Sequence, residues 1–307
     1  VVAAVDSDPV MKKHYQMNLG TSTRYFESLV QKLVTSHELD PYEGIDILDG
    51  SPPCSPFSDL GKRDDYWGQN RHFREGGEVQ VLSDLFFEYM RMVDRIRPKV
   101  AIAENVRAMS FGKARGYIKM VLERFRALGY MPQLFRINAA DCGVPQYRER
   151  LFFCAIRKEL YETPLVIKLP GVHVSAEQAF TGLAPPSPEE RVQLGPTREA
   201  LAFWNYTEPG KSFLAARIKA TGKKIGYARR RMKGSIPCHT LTGSADDFYH
   251  WSECRRLTYR EWLRLGSFPD DYKATNRNSG CYVVGMSVPP KLMFTVAQAV
   301  CRQWFKI

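Results

Sequence analysis

Short apolar runs alternate with stretches of helical period along the first half of the chain. Residues 1–5 read as a buried strand, and the apolar spacing through residues 10–18 predicts a helix after it. Residues 45–48 read as a second strand, which runs into the turn-rich segment 49–56. Across residues 79–96, Leu82, Leu85, Phe86, Tyr89, Met92, Val93 and Ile96 recur at helical spacing until Pro98 stops the helix. Residues 100–103 then read as a strand, 116–128 as a helix and 151–156 as a strand. This alternation predicts an α/β fold built on a parallel sheet.

From about residue 161 the periodicity fades, and prolines gather at 164, 170, 185, 186, 188, 196 and 209. Helical patterns return at 258–265 and 290–304, the latter opening on Pro290, where a missing N–H is harmless. The expected division is a larger domain over 1–160, a smaller loop-rich domain over 161–252, and a return over 253–307 that completes the first. Because Val1 opens directly inside an apolar strand, the large domain is expected to be cut short before it.

Charge adds a partner class to this picture. The 44 Lys and Arg outnumber the 33 Asp and Glu, for a net charge of +11. Such a surplus suits a polyanion, because each neutralised phosphate releases condensed counterions. The run 217–233 concentrates it, with eight Lys or Arg and no acid, among them Arg229 and Arg230. Apolar stretches are too interrupted for a membrane span, and no secretion signal opens the chain. The seven cysteines form no Cys-x-x-Cys pair, which argues against a disulfide framework and against a zinc site. A reduced, cytoplasmic setting follows.

Candidate chemistry lies at the ends of the predicted strands. Cys54 follows Gly50-Ser51-Pro52-Pro53 where a parallel strand ends, the edge at which open α/β sheets bind ligands. A thiol held in such a turn can be exposed and oriented as a nucleophile, or simply pack against the sheet. Glu104, in Glu104-Asn105-Val106, ends the next strand and would face the same crevice. In Gln146-Tyr147-Arg148-Glu149-Arg150 the two arginines alternate, so an extended backbone puts both guanidiniums on one side, suited to an anion or a base edge.

Two further motifs complete an ordered set: Arg256-Leu257-Thr258-Tyr259-Arg260-Glu261 with Phe268-Pro269, and Gly285-Met286-Ser287-Val288-Pro289-Pro290. In this order and spacing the five resemble the motifs of the DNA cytosine-C5 methyltransferases of bacterial or phage type, from the first residues to about Pro290. The resemblance implies a Rossmann-like S-adenosylmethionine-dependent methyltransferase domain with a smaller target-recognition domain. It assigns Cys54 as the nucleophile on cytosine C6, Glu104 as the acid that holds N3 and N4, Arg150 as the O2 contact, and Arg148 as its support.

The same resemblance implies that S-adenosylmethionine is held by Asp6 at its ribose, with Ser7, Pro53, Leu85 and Ser287 around it, and that no metal is needed. DNA contacts are implied at Ser55, Ser58, Lys62 and Arg63, at Arg229 and Arg230, and at Thr240 and Leu241. Residues 59–77 look like a loop that closes over an extruded base. Two departures stand out: the family's glycine-rich Phe-x-Gly-x-Gly turn is expected upstream of Val1, and Met286 replaces the usual asparagine, whose hydrogen bonds methionine cannot make. The implied partner is double-stranded DNA, met by a monomer, with a cognate restriction endonuclease as a companion, in a bacterial nucleoid or a phage-infected cell. A tRNA cytosine-C5 methyltransferase and a catalytically impaired DNA-binding homologue are the alternatives.

Overall fold

The computed structural model describes residues 1–52, 70–71, 80–81, 85–110, 114–222 and 229–307. Pro53, Cys54, Ser55, Ser58, Lys62 and Arg63 lie outside the described residues, as does the expected loop 59–77 apart from 70–71. The chain opens with β1 (Ala3–Asp6), α1 (Pro9–Leu19), β2 (Arg24–Glu27), α2 (Val30–Leu33) and β3 (Ile47–Gly50). Two-residue strands β4 (Asn70–Arg71) and β5 (Gln80–Val81) pair antiparallel. Then come α3 (Leu85–Ile96), β6 (Val100–Val106), α4 (Ala114–Ala127), β7 (Tyr130–Asn138) and β8 (Glu149–Arg157).

β3, β6, β8 and β7 form one sheet in that order, while β1 and β2 form a parallel pair. Parallel pairing, expected throughout, holds for β3 with β6, but β8 runs antiparallel to both its neighbours. The cause is local: β7 and β8 are joined by residues 139–148, too short for a parallel crossover. β7 escapes the sequence pattern because it is an edge strand carrying Pro132, Gln133 and Arg136, and Pro is tolerated only at such an edge. The helix expected over 79–96 begins at Leu85, and Gln80–Val81 is strand instead. Nor is the opening strand buried. Ala3–Val5 are half-buried and Val1 is 94% exposed, since β2 is its one strand partner among the described residues.

Strict alternation along β6 and β8 divides the core in two. Ala101, Ala103, Leu151, Phe153 and Ala155 face α3 and α4, where Phe86, Tyr89, Met90, Val121 and Phe125 pack. Val100, Ile102, Phe152, Cys154 and Ile156 face the other way, against Leu292, Val296 and Val300 of the C-terminal helix. The small alanines admit the aromatic rings, and the Tyr89 hydroxyl reaches the carbonyls of Leu48 (3.1 Å) and Ile102 (2.9 Å) across β3 and β6.

The second half is built from short pieces: α5 (Ala176–Phe180), α6 (Pro188–Gln193), α7 (Arg198–Phe203), α8 (Phe213–Thr221), β9 (Arg230–Arg231) and β10 (Phe248–Tyr249). α9 (Tyr259–Leu265), α10 (Arg277–Met286) and α11 (Pro290–Val300) follow. A third core cluster joins Ala176, Met232, Leu241 and Phe248 to Leu257, Trp262, Cys281 and Val284, so residues on both sides of 252 pack together. Thr258 and Glu261 cap α9 reciprocally, and Glu261 also takes both terminal nitrogens of buried Arg255 (2.9 and 2.7 Å). The apolar stretch 277–305 is broken at 287–289, and its second half packs into the sheet core.

Candidate active site

Alternation and register bring Glu104 and Arg150 together. Glu104 follows Ile102 on the α11 face of β6, and Arg150 precedes Phe152 on the same face of β8. Glu104 lies opposite Phe152 and Arg150 opposite Val106, so the two side chains are diagonal neighbours. Their Oε1 and Nε atoms are 2.8 Å apart, with each side chain 13% exposed. Ser51, just past the end of β3, hydrogen-bonds the same carboxylate.

Burial dominates the electrostatics. It raises the Glu104 carboxyl above its ordinary value even though Arg150, Arg148 and Ser51 all pull the other way. Burial likewise lowers Arg150, against the pull of Glu104. A raised carboxyl means that the folded state holds its proton more tightly, so Glu104 contributes stability that is present below pH 4.5 and lost as pH rises through its folded value. Thermal melts of wild type and Glu104→Gln across that range should therefore show the wild type losing ground to the variant with rising pH. Parallel curves would contradict this.

Arg148, two residues before Arg150, turns inward instead of into the crevice. It is 4% exposed, donates to the Leu241 carbonyl at 3.0 Å, and has its guanidinium pushed down in pKa by burial and by Arg150. Gln146 extends the clasp: its amide oxygen accepts from the Leu241 N–H (3.0 Å) and its nitrogen donates to the Leu265 carbonyl (3.3 Å). The Thr240 hydroxyl donates to the Tyr147 carbonyl at 2.7 Å. The strand that leads into Arg150 thus grips residues 240–241. Leu241 is 1% exposed and takes part through its backbone, while Thr240 remains at the surface. Sequence reading gave Gln146 no role; its place two residues before Arg148, on the same face, was the available signal.

At the end of the first strand pair, Asp6 of β1 lies directly across from Glu27 of β2. Asp6 lies at the surface, yet neighbouring atoms desolvate its carboxyl enough to raise it, and it accepts the Asp8 N–H at 2.8 Å. Ser7 is exposed beside it. Asp8 caps α1 and accepts the Tyr282 hydroxyl of α10 at 3.1 Å. A cleft of about 310 Å³ opens there, between Asp8 and Val10 on one side and Gly243–Asp246, Asn278 and Tyr282 on the other. Leu85 is buried at the start of α3, and the Ser287 hydroxyl is turned back onto the Val283 carbonyl (2.6 Å). Met286 is 56% exposed beside Gly243.

The basic run is more internally committed than its composition suggests. Arg217 and Arg229 both pair with Glu199, at 2.9 and 3.4 Å. Arg230 donates to His239 Nε2 at 3.4 Å, and burial together with Arg230 lowers that imidazole's pKa. Arg231 lies 3.9 Å from the centre of the Trp204 ring and donates to the Trp251 and Thr207 carbonyls. Lys223 and Lys224 lie outside the described residues.

A sheet clad by helices on both faces, with an acid and a guanidinium meeting at its strand ends, defines an α/β fold with a polar site at that end. A solved chain described as a candidate DNA modification methyltransferase, encoded within an Escherichia coli prophage, shares this fold with a TM-score of 0.72 at 18% identity, covering 100% of this chain and 93% of that one. The chain belongs to the C-5 cytosine-specific DNA methylase family, whose pattern it matches over residues 1–302. The type II methyltransferase M.XorII of Xanthomonas oryzae is 36% identical over 354 residues, covering 98% of this chain and 79% of the relative. M.PspPI of Psychrobacter sp., also a type II methyltransferase, is 28% identical over 280 residues, and the match spans 84% of this chain and 64% of that protein.

Proposed function

We propose that this chain transfers the methyl group of S-adenosylmethionine to C5 of a cytosine turned out of duplex DNA, through a covalent bond between Cys54 and C6. The observation that carries this reading is the buried Glu104–Arg150 pair beside Ser51, three residues before the thiol. Together they present one acceptor or proton and one forked donor to a single planar base. Cytosine C5 is a poor nucleophile until a thiolate adds at C6, and proton loss from C5 then expels the thiolate. Glu104, whose carboxyl burial shifts upward, is suited to hydrogen-bond N3 as the thiolate adds. Arg150 is suited to O2, and Arg148 keeps the strand under it in place. Extruding the base costs a few kcal/mol, which contacts in the pocket offset.

The residues present fit one end of the cofactor. Adjacent carboxylates at two parallel strand ends, Asp6 and Glu27, are acceptors of the kind that ribose hydroxyls seek. Ser7, Pro53, Leu85 and Ser287 would complete its surroundings, and when bound it supplies an electrophilic sulfonium methyl. DNA is met by Thr240, by Arg229 and Arg230 beyond their internal partners, and by Ser55, Ser58, Lys62 and Arg63. Arg231, tied to three backbone carbonyls, holds the recognition region together. We place the enzyme in the bacterial cytoplasm as a monomer, alongside a restriction endonuclease of matching specificity.

The test is methyl transfer from labelled S-adenosylmethionine to duplex DNA and to tRNA, followed by bisulfite sequencing. Labelled 5-methylcytosine in DNA supports the reading. Label in tRNA alone, or DNA binding without transfer, overturns it.

A further inference from the structure

We infer that Arg230 reads a guanine edge in the target duplex and that His239 is the positioning residue that aims it; this rests on the reading that the chain acts on duplex DNA. Residues 229–231 are three consecutive arginines, and β9 covers the last two. In extended backbone the outer two share one side and the middle one turns to the other. Their partners follow that division. Arg229 pairs with Glu199 of α7, and Arg231 lies over Trp204 just after α7, so both are committed inside the fold. Arg230 meets neither. Among the described residues, the one acceptor its guanidinium has is His239 Nε2, at 3.4 Å.

A guanidinium only donates, so His239 Nε2 is the acceptor and the neutral imidazole carries its proton on Nδ1. Burial and the neighbouring Arg230 both lower the imidazole's pKa, which keeps it in that form at neutral pH. His239 is therefore an orienting acceptor and not a second cation. The segment that carries it is itself fixed. Cys238 pairs in parallel with Gln146: its N–H reaches the Pro145 carbonyl (2.9 Å), and its carbonyl accepts the Tyr147 N–H (2.8 Å). Two residues further on, Gln146 and Arg148 hold the Leu241 backbone. Arg230 thus borders the segment 145–148 that leads into Arg150 and its contact with Glu104. A phosphate gains most from a second positive charge, which a neutral imidazole does not supply. Guanine O6 and N7 instead take a forked donor of fixed direction. Charge for the phosphates stands nearby on exposed Lys233 and on exposed Lys211, whose carbonyl accepts the Arg231 N–H at 3.0 Å.

The test is methylation of a duplex library randomised on both sides of a cytosine, read by bisulfite sequencing of each strand, beside melting temperatures. In Arg230→Ala the preference for guanine at one position should fall by about 10- to 100-fold, the worth of one bidentate pair, while other positions keep theirs. Arg230→Gln serves if the alanine variant folds poorly, and should lose the same preference. His239→Leu removes the acceptor and should lose part of that preference. His239→Gln offers an amide oxygen at similar reach and should restore it. An unchanged profile in a folded Arg230 variant overturns the inference. So does a loss spread evenly over all sequences with a salt slope smaller by about one, the mark of a phosphate contact. A wild-type profile in His239→Leu, or His239→Gln no better than His239→Leu, overturns the positioning role. If the wild type methylates no duplex, the reading of the chain as acting on DNA falls, and this inference with it.

Discussion

A Cys54→Ser variant is expected to form no covalent complex with duplex DNA containing 5-fluorocytosine, and its methyl transfer to fall at least on the order of 10⁴-fold. A thiol is a few per cent ionised at neutral pH and intrinsically nucleophilic, whereas a serine hydroxyl without a base beside it is neither. The residues around the base would persist in the variant. Glu104 and Arg150 are held by β6 and β8, and Ser51 by the end of β3, so binding of the extruded cytosine should survive. The expected signature is thus undiminished DNA Kd with abolished adduct and turnover, read by denaturing gel and by label transfer. An adduct as abundant as in wild type would mean that another nucleophile acts.

A Gly285→Ala substitution should destabilise the protein although it lies within a helix. Replacing glycine by alanine in a helix interior ordinarily stabilises by roughly 0.5–1 kcal/mol. Here a Cβ would overlap the Thr242 carbonyl oxygen and stand 3.1 Å from the Gly243 nitrogen. Both are backbone atoms, so one segment must move, and overpacking of this kind costs about 1–3 kcal/mol. Overpacking wins, and the melting temperature should drop by several degrees. Because Thr242 follows the residues that Gln146 and Arg148 hold, displacement should also lower kcat/KM on DNA more than on a preformed single-stranded substrate. A melting temperature at or above wild type would show that α10 does not press on this turn.

Much of the site could be read from residue order because its parts sit on strands with period two. Strand ends alone set Glu104 on a crevice, and alternation set Arg148 and Arg150 on one side; that Glu104 and Arg150 meet at 2.8 Å came from the structure. Alternation does not say what each arginine meets. An extended backbone puts Arg148 and Arg150 on one side, but the two differ in what lies beyond that side: Arg150 meets Glu104, and Arg148 meets the Leu241 carbonyl, a partner 93 residues away. β7 and α10 were missed for opposite reasons. β7 is an edge strand that tolerates polar residues, and α10 carries Gly280 and Gly285 because close neighbours, the Tyr259 ring and the Thr242 carbonyl, leave no room for a side chain.

The sequence by itself determined the fold class, the helical and strand periods of the first half, and an ordered set of chemical residues, since local spacing dictates each of these. Only the tertiary structure decided which arginine meets the acid and which arginine meets the Leu241 carbonyl. It alone showed that β8 is antiparallel, and that the basic run is partly spent on Glu199, His239 and Trp204. Those outcomes depend on partners distant in the chain, and burial makes each such partner decisive, because a polar group removed from water must find its bond wherever the fold supplies one.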